Sequence, residues 1–409
     1  MDNNDGIARR TRPVTSRKNK NAAVLKTKGK RQEAKAKRLG FLELMGLGSR
    51  SETEALHIYV QRQFSRIVAH GIEYDVASRV VSRIACFEEW APEWAREGKY
   101  WEKLAVGALR HGHRTTAQDA FFKASNCFRV GQHILHADKE KMAYYPKVTR
   151  LYETAGKLME PAMQTVSIRS PQGTLPAYFS IPAGGGRFPA VILVGGADGW
   201  REEYLPSTVA LLKRGFAVLN VDAPGQGAAR LLRKTFMPVD VEKSLSAAVD
   251  FLLQCPKVQP RRIFMLGHSV GGYLTLRAAA TDHRLAACAT LGAPYELLSI
   301  FDNSPPARRI NFSLMCGTRD LDKGRDILRH FTLDGLLSKI SCPVLVIHGK
   351  KDSVVPAAHV DRICSGIGAH VELRTWDDGI HCCDNYVAET YPLVADWLAD
   401  HMPVLRRRT

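Results

Sequence analysis

Residues 262–281 read RIFMLGHSVGGYLTLRAAAT. A short apolar run ends at Gly267-His268-Ser269-Val270-Gly271-Gly272, and a helix-forming stretch follows at once. This is G-x-S-x-G set between a strand and a helix. The spacing has a steric cause. The serine occupies a strained turn, and side chains two residues to either side of it would collide, so both positions are glycine. The turn thrusts Ser269 above the strand end, and the N–H of Val270 points at the place where an oxyanion would form. A glycine-rich turn without chemistry is the plainer reading, and the flanking strand and helix argue against it.

Working outward, the runs PAVILVGG (189–196), FAVLNVDAPG (216–225), LAACATLG (285–292), CPVLVIHG (342–349) and HVELRTWD (370–377) are short, apolar and closed by Gly or Asp. Such runs read as buried parallel strands. TVSIRS and AYFSIP, just upstream, read as short alternating strands. Helix-like segments lie between the runs, so the expected class is α/β: an α/β-hydrolase fold, a mostly parallel, doubly wound sheet. In such sheets the working residues gather at the carboxyl ends of the strands.

A serine hydroxyl is a weak nucleophile. It needs a base, and the base needs an orienting acid, which in this fold follow in the order Ser, Asp or Glu, His. CPVLVIHGKKDSVVP places Asp352 just past a strand, in a turn closed by Pro356. HVELRTWDDGIHCCDN places His381 past the next one. Asp320, Asp377 and Asp378 are rival acids, and His268 and His348 rival bases. His268 sits inside the turn and cannot easily reach its neighbour's hydroxyl. A second oxyanion donor is expected from AVILVGGADGWREEY (190–204), at Gly196 or Ala197, alongside Val270.

Two further features invite chemistry without supplying it. Asp222-Ala-Pro-Gly-Gln-Gly227 is glycine-rich but lacks the Lys-Ser/Thr of a phosphate loop and reads as structural. Cys382 and Cys383 follow His381 directly, but no further ligands cluster at zinc spacing, so they read as small buried residues packing the loop. No cofactor and no metal are expected.

The remaining chain divides by composition. Residues 1–38 hold thirteen Lys/Arg against three acids, so the net charge of +17 belongs largely to this tail and to Arg406, Arg407 and Arg408. The tail carries too little apolar surface to order itself and reads as disordered. Its expected contact with nucleic acid is non-specific at most. Residues 39–160 carry apolar residues at three- and four-residue spacing and read as an all-helical domain. Within it, 99–135 form an antiparallel hairpin turning at Gly112. Residues 161–409 are the catalytic domain. The nine cysteines show no CxxC pattern and read as reduced thiols. The chain start lacks an apolar leader segment, and no run of about 18 apolar residues exists. The expectation is a cytoplasmic enzyme with no membrane contact.

Taken together, the helical region placed before the sheet, GHSVGGY, HGKKDSVVP and DGIHCCDN resemble the 2,6-dihydroxypseudooxynicotine hydrolase family over roughly residues 80–402. The same branch takes in the fermentation/respiration-switch esterase-like proteins and fungal hydrolases that shorten polyketide chains. The resemblance implies hydrolysis of a carbon–carbon bond next to a ketone, or of an ester, with a small-molecule ketone or ester as substrate. It matches Ser269, Asp352 and His381 to the family's triad. It further implies that the N-terminal helices form a lid and that the enzyme is a homodimer. It also implies an auxiliary carboxylate, for which Glu296 and Asp302 are the candidates. Two other readings compete: an acyltransferase or cyclase using the same triad, and a binding protein that keeps the fold without the chemistry.

Overall fold

A computed structural model describes residues 40–48 and 50–403. The basic tail and Arg406–Arg408 lie outside the described residues. The described residues fall into two units that divide after Ser51. In the first, residues 40–44 make a helical turn, extended by hydrogen bonds from the N–H of Met45 to the oxygen of Phe41 (3.0 Å) and of Leu47 to that of Leu42 (2.7 Å).

The second unit opens with helices α1 (Glu52–Ala69), α2 (Tyr74–Val81), α3 (Trp90–Arg110), α4 (Arg114–Gly131) and α5 (Tyr145–Gly156). The hairpin read from 99–135 is the α3–α4 pair. Its small residues do what their size allows: Ala105, Ala117, Ala120 and Ala124 are buried between the helices. A Cβ on Gly98 would fall 2.7 Å from the Phe128 ring, so glycine lets α3 close onto α4. Phe121, Phe122, Phe128, Tyr145 and Tyr152 extend this core to Tyr178 and Trp200 of the α/β part. The aromatic residues of the helical region are therefore mostly core: Trp90 and Trp94 are fully buried, while Tyr100 faces solvent.

Eight strands follow: β1 (Gln164–Ser170), β2 (Gly173–Ser180), β3 (Phe188–Val194), β4 (Ala217–Val221), β5 (Val258–His268), β6 (Leu285–Leu291), β7 (Val344–Gly349) and β8 (Val371–Trp376). They form one sheet in the order β1-β2-β4-β3-β5-β6-β7-β8. The pairs from β4 to β8 are parallel, and β1–β2 and β2–β4 antiparallel. Successive residues of β3 serve opposite layers. Ala190, Ile192 and Val194 join one core, and Val191 and Leu193 the other. Burial on both faces is why the central strands β3, β4, β6 and β7 read as apolar runs rather than alternating ones. Each fully buried Val, Ile or Leu contributes roughly 1.5–3 kcal/mol.

Helices α6 (Leu205–Leu212), α7 (Glu242–Gln254), α8 (Val270–Thr281), α9 (Pro306–Met315), α10 (Ala357–Ile367) and α11 (Val387–Asp400) complete the fold. The register aligns Val194 with Gly267, His268 with Leu291, and Leu291 with Ile347. The carboxyl ends of β3, β5, β6 and β7 therefore open onto one rim. All nine cysteines are free. No described helix is long and apolar enough to cross a membrane.

Candidate active site

Strand β5 ends at His268, and Ser269 follows with φ 54° and ψ −120°, a backbone state that L-residues avoid. The two glycines show why the motif needs them. A Cβ on Gly267 would lie 2.1 Å from the oxygen of Gly271, and one on Gly271 would lie 2.2 Å from the oxygen of Val194. The turn is anchored on both sides. Ser269 N–H donates to the Leu291 oxygen at 2.7 Å, and the Ser269 oxygen accepts from Gly272 N–H at 2.8 Å.

Ser269, His381 and Asp352 come together at this rim. Ser269 Oγ lies 2.9 Å from His381 Nε2, and His381 Nδ1 lies 2.8 Å from Asp352 Oδ2. Asp352 Oδ1 accepts from the N–H groups of Val354 (2.8 Å) and Val355 (2.9 Å). Burial by itself would raise the Asp352 pKa. The charge and hydrogen bond of His381 and the two N–H groups outweigh it and hold the carboxyl below its ordinary value, so it is ionised at neutral pH. A hydroxyl, an imidazole and a carboxylate in this series can pass a proton from Oγ to Nε2 while the carboxylate steadies the imidazolium.

The rival groups are engaged elsewhere. Asp320 caps the short helix Leu321–Leu328, accepting from Asp322 N–H and Lys323 N–H. Asp377 pairs with Lys350 and Asp378 with Lys351. His268 is buried among the rings of His70, Tyr204 and Tyr391. His348 Nδ1 is 3.9 Å from Asp352 Oδ2, beyond hydrogen-bond distance.

Glu296 and Asp302, the candidates for an auxiliary carboxylate, make their hydrogen bonds outside the Ser269–His381–Asp352 series. The Glu296 carboxylate accepts from Ser299 N–H at 3.0 and 3.2 Å, and so closes its own turn. Asp302 meets Arg325 in a two-pronged pair, 2.7 Å on each arm, which keeps it ionised.

The loop after β3 lies against the serine: a Cβ on Gly196 would be 3.4 Å from Ser269 Cβ. Of the two donors expected here, Gly196 is corrected, since its N–H already donates to Tyr204 Oη at 2.9 Å. The N–H of Ala197 has no hydrogen-bond partner among the described residues. Val270 opens α8, where N–H groups have no intrahelical partner. The loop is braced from below. Gln226 Nε2 donates to the oxygens of Gly195 (2.6 Å) and Gly196 (3.0 Å), and Asp222 accepts from the N–H groups of Arg201 (2.9 Å) and Ala228 (2.7 Å). The glycine-rich segment 222–227 is thus the bracket of this loop.

Sequence reasoning missed a buried ionic cluster beside it. Arg66 of α1 clamps Glu203 through Nε (2.8 Å) and Nη2 (3.0 Å) and reaches Asp198 at 3.1 Å. Arg129 of α4 meets Glu203 at 2.9 Å, with both side chains 1% exposed. His70 Nε2 stands 3.7 Å from Glu203 Oε1 and from Asp384 Oδ1. Burial would raise the Glu203 pKa, but Arg129, Arg66 and His70 hold it well below the ordinary value. Asp384 fares differently: burial pushes it up to about 7, against the pull of Arg66 and His381. The local sequence signal is the charged run WREEY (200–204), which by itself does not mark burial.

The family described as Esterase FrsA-like matches residues 68–402. The chain is 30% identical over 341 residues to 2,6-dihydropseudooxynicotine hydrolase of Paenarthrobacter nicotinovorans, covering 82% of this chain and 91% of the relative. It is 30% identical over 330 residues to 20-hydroxy-prefusarin hydrolase of Gibberella moniliformis, covering 69% of this chain and 78% of the relative. Among solved structures, the crystal structure of 2,6-dihydroxy-pseudo-oxynicotine hydrolase superposes with a TM-score of 0.76 at 29% identity, over 83% of this chain and 95% of that one.

Proposed function

This chain belongs to the FrsA-like esterase family and is an α/β-type hydrolase, and from that premise we propose that it works as a serine hydrolase through an acyl-enzyme, cleaving a carboxylic ester or a carbon–carbon bond next to a ketone. The observation that carries the reading is the unbroken series of two hydrogen bonds, 2.9 and 2.8 Å, joining Ser269, His381 and Asp352.

In acylation, Ser269 Oγ bonds to the substrate carbonyl carbon as its proton passes to His381 Nε2. The carbonyl oxygen becomes an oxyanion facing the N–H groups of Ala197 and Val270, each worth roughly 2.7–4 kcal/mol of barrier. The bond to the leaving group then breaks, and His381 returns the proton to that group. Water repeats the sequence in reverse roles, bonding to the acyl carbon and releasing Ser269. Asp352, ionised throughout, fixes the imidazole tautomer and offsets its transient charge.

An ester needs only these residues, because an alkoxide leaves readily once protonated. A carbon leaving group must be stabilised by its own resonance and protonated on carbon. With Glu296 and Asp302 held in other contacts, ester cleavage is the chemistry this set of side chains performs unaided. Helices α1 and α4 act as the lid in this reading, supported by the reach of Arg66, His70 and Arg129 to Glu203. The free thiols favour a reducing, cytoplasmic setting.

The test is a fluorophosphonate probe with peptide mapping, followed by aryl esters and β-diketones with mass detection of both fragments. Labelling at Ser269 and paired fragments support the proposal. An unlabelled Ser269 in folded protein sinks it.

A further inference from the structure

Helix α9 lies over the loop that holds Ala197. Asn311 Nδ2 donates to the Ala197 oxygen at 3.0 Å, and Asn311 Oδ1 accepts from Arg230 Nη1 at 2.9 Å. Arg308 stands one turn earlier on the same face of α9. The carboxylates of Asp198, the residue after Ala197, and of Asp352 act on its charge. Arg308 therefore borders the same rim as Ser269.

Its neighbours differ from it in one respect. Arg66 and Arg129 share Glu203, and Arg66 also takes Asp198. Arg230 meets Asn311 and Asp138, and Arg309 donates to the oxygens of Ser304 (2.8 Å) and Asp302 (2.6 Å). Arg308 is half-buried, yet its guanidinium has no hydrogen-bond or ion-pair partner among the described residues. Burial, together with the positive charges of Arg66 and Arg62, lowers its pKa from the ordinary arginine value, while Asp198 and Asp352 push the other way. An arginine still remains charged at any physiological pH. Partial burial of an unmatched guanidinium is costly, and its planar fork fits a carboxylate on two parallel hydrogen bonds.

We propose that Arg308 is a specificity residue that receives a carboxylate on the substrate, so that the preferred substrates are esters or ketones carrying such an anion. This rests on the serine-hydrolase reading above and adds the substrate class. Arg62, four residues before Arg66 on α1, adds a second positive charge at the approach.

The experiment compares kcat/KM for matched pairs at low salt. One arm puts the anion on the acyl half (mono-4-nitrophenyl glutarate against 4-nitrophenyl butyrate). The other puts it on the leaving half (4-acetoxybenzoate against its methyl ester). The wild type is expected to prefer the anionic member of at least one pair. Arg308→Gln should lower that anionic-to-neutral ratio about 10- to 100-fold, the worth of a hydrogen bond to a charged group. Arg308→Lys, which keeps charge but not the fork, should lower it less. A charge-blind wild type, or a ratio within two-fold of wild type in Arg308→Gln, overturns the inference and leaves the serine-hydrolase reading standing. If Ser269 takes the fluorophosphonate but no ester turns over, glutarate is tested for slowing the labelling; its failure to do so overturns the inference. If Ser269 is not labelled, both readings fall.

Discussion

The backbone N–H of Ser269 and the thiol of Cys382 share one acceptor, the Leu291 carbonyl oxygen, at 2.7 and 3.3 Å. The end of β6 thus ties the serine turn to the loop carrying His381. Cys382 and Cys383 hold left-handed backbone angles, φ 56° and 53°, which bring His381 round to the serine. Both are buried, and burial keeps both thiols protonated, Cys383 up to about 12. Two outcomes are expected. Cys382→Ala should lower kcat by the worth of one weak hydrogen bond, ~0.5–1.5 kcal/mol, with KM little changed. In the native protein, iodoacetamide followed by peptide mapping should spare both residues, since the thiolate is the reactive form. Rapid native alkylation of either would contradict the packing role.

Ser269→Ala should cut turnover by about 10⁴-fold or more. Stability carries a subtler expectation. Alanine keeps the strain of φ 54°, whereas glycine relieves it. Such strain costs on the order of 1–3 kcal/mol, and the gain is reduced by roughly 0.4–1 kcal/mol for the freer unfolded glycine chain. Ser269→Gly should therefore be the more stable of the two by about 1 kcal/mol in urea melts. Equal stabilities would mean that the turn relaxes in solution.

Asp384 supplies a pH signature. Its folded pKa of about 7 lies above the ordinary carboxylate value of roughly 3.9. Below both values the carboxyl is protonated in either state and costs nothing. As pH rises, the unfolded chain ionises first, so the folded state loses stability between about pH 4 and about pH 7. His70 and His268, lowered to about 3 and about 4 by burial, act in the opposite direction, their contributions fading as pH falls below the ordinary histidine value. Both histidines remain in Asp384→Asn, so the difference between variant and wild type isolates Asp384. That difference should move in the variant's favour across the window by up to ~1.4 kcal/mol per pH unit. A flat difference would show that Asp384 is ionised in the fold.

The residues differ in how legible they were. Ser269, Asp352 and His381 each sit just past an apolar run, and backbone geometry forces glycine, turn and loop residues into recognisable order there. The central strands β3, β4, β6 and β7 were plain for the same reason: burial on both faces keeps their runs almost wholly apolar. Gly196 misled because sequence shows that a backbone can approach, not which N–H is already spent on Tyr204. Glu296 and Asp302 stayed undecided because acids near strand ends look alike until their partners, Ser299 N–H and Arg325, are in place. Glu203 was invisible because Arg66 and Arg129 neutralise it from 137 and 74 positions away in the chain, and no local pattern encodes such a pairing.

That long-range pairing makes the last prediction. Glu203 holds two guanidiniums in a buried setting, so removing its charge leaves Arg129 unmatched and Arg66 with Asp198 alone. Glu203→Gln should cost about 3–5 kcal/mol, the penalty for orphaning a buried charge. Arg129→Met should cost less, because Arg66 still neutralises Glu203 through two hydrogen bonds. The double variant should be less damaged than the two losses added, with a coupling of roughly 1–3 kcal/mol in a urea double-mutant cycle. Activity should fall in step for Glu203→Gln. The next residue, Tyr204, holds Gly196 N–H, and a loosened Tyr204 would let the Ala197 donor drift from Ser269. Additive stabilities would show that Arg129 and Glu203 do not interact. A destabilised Glu203→Gln with wild-type kcat would mean that the cluster anchors the helices without setting the loop.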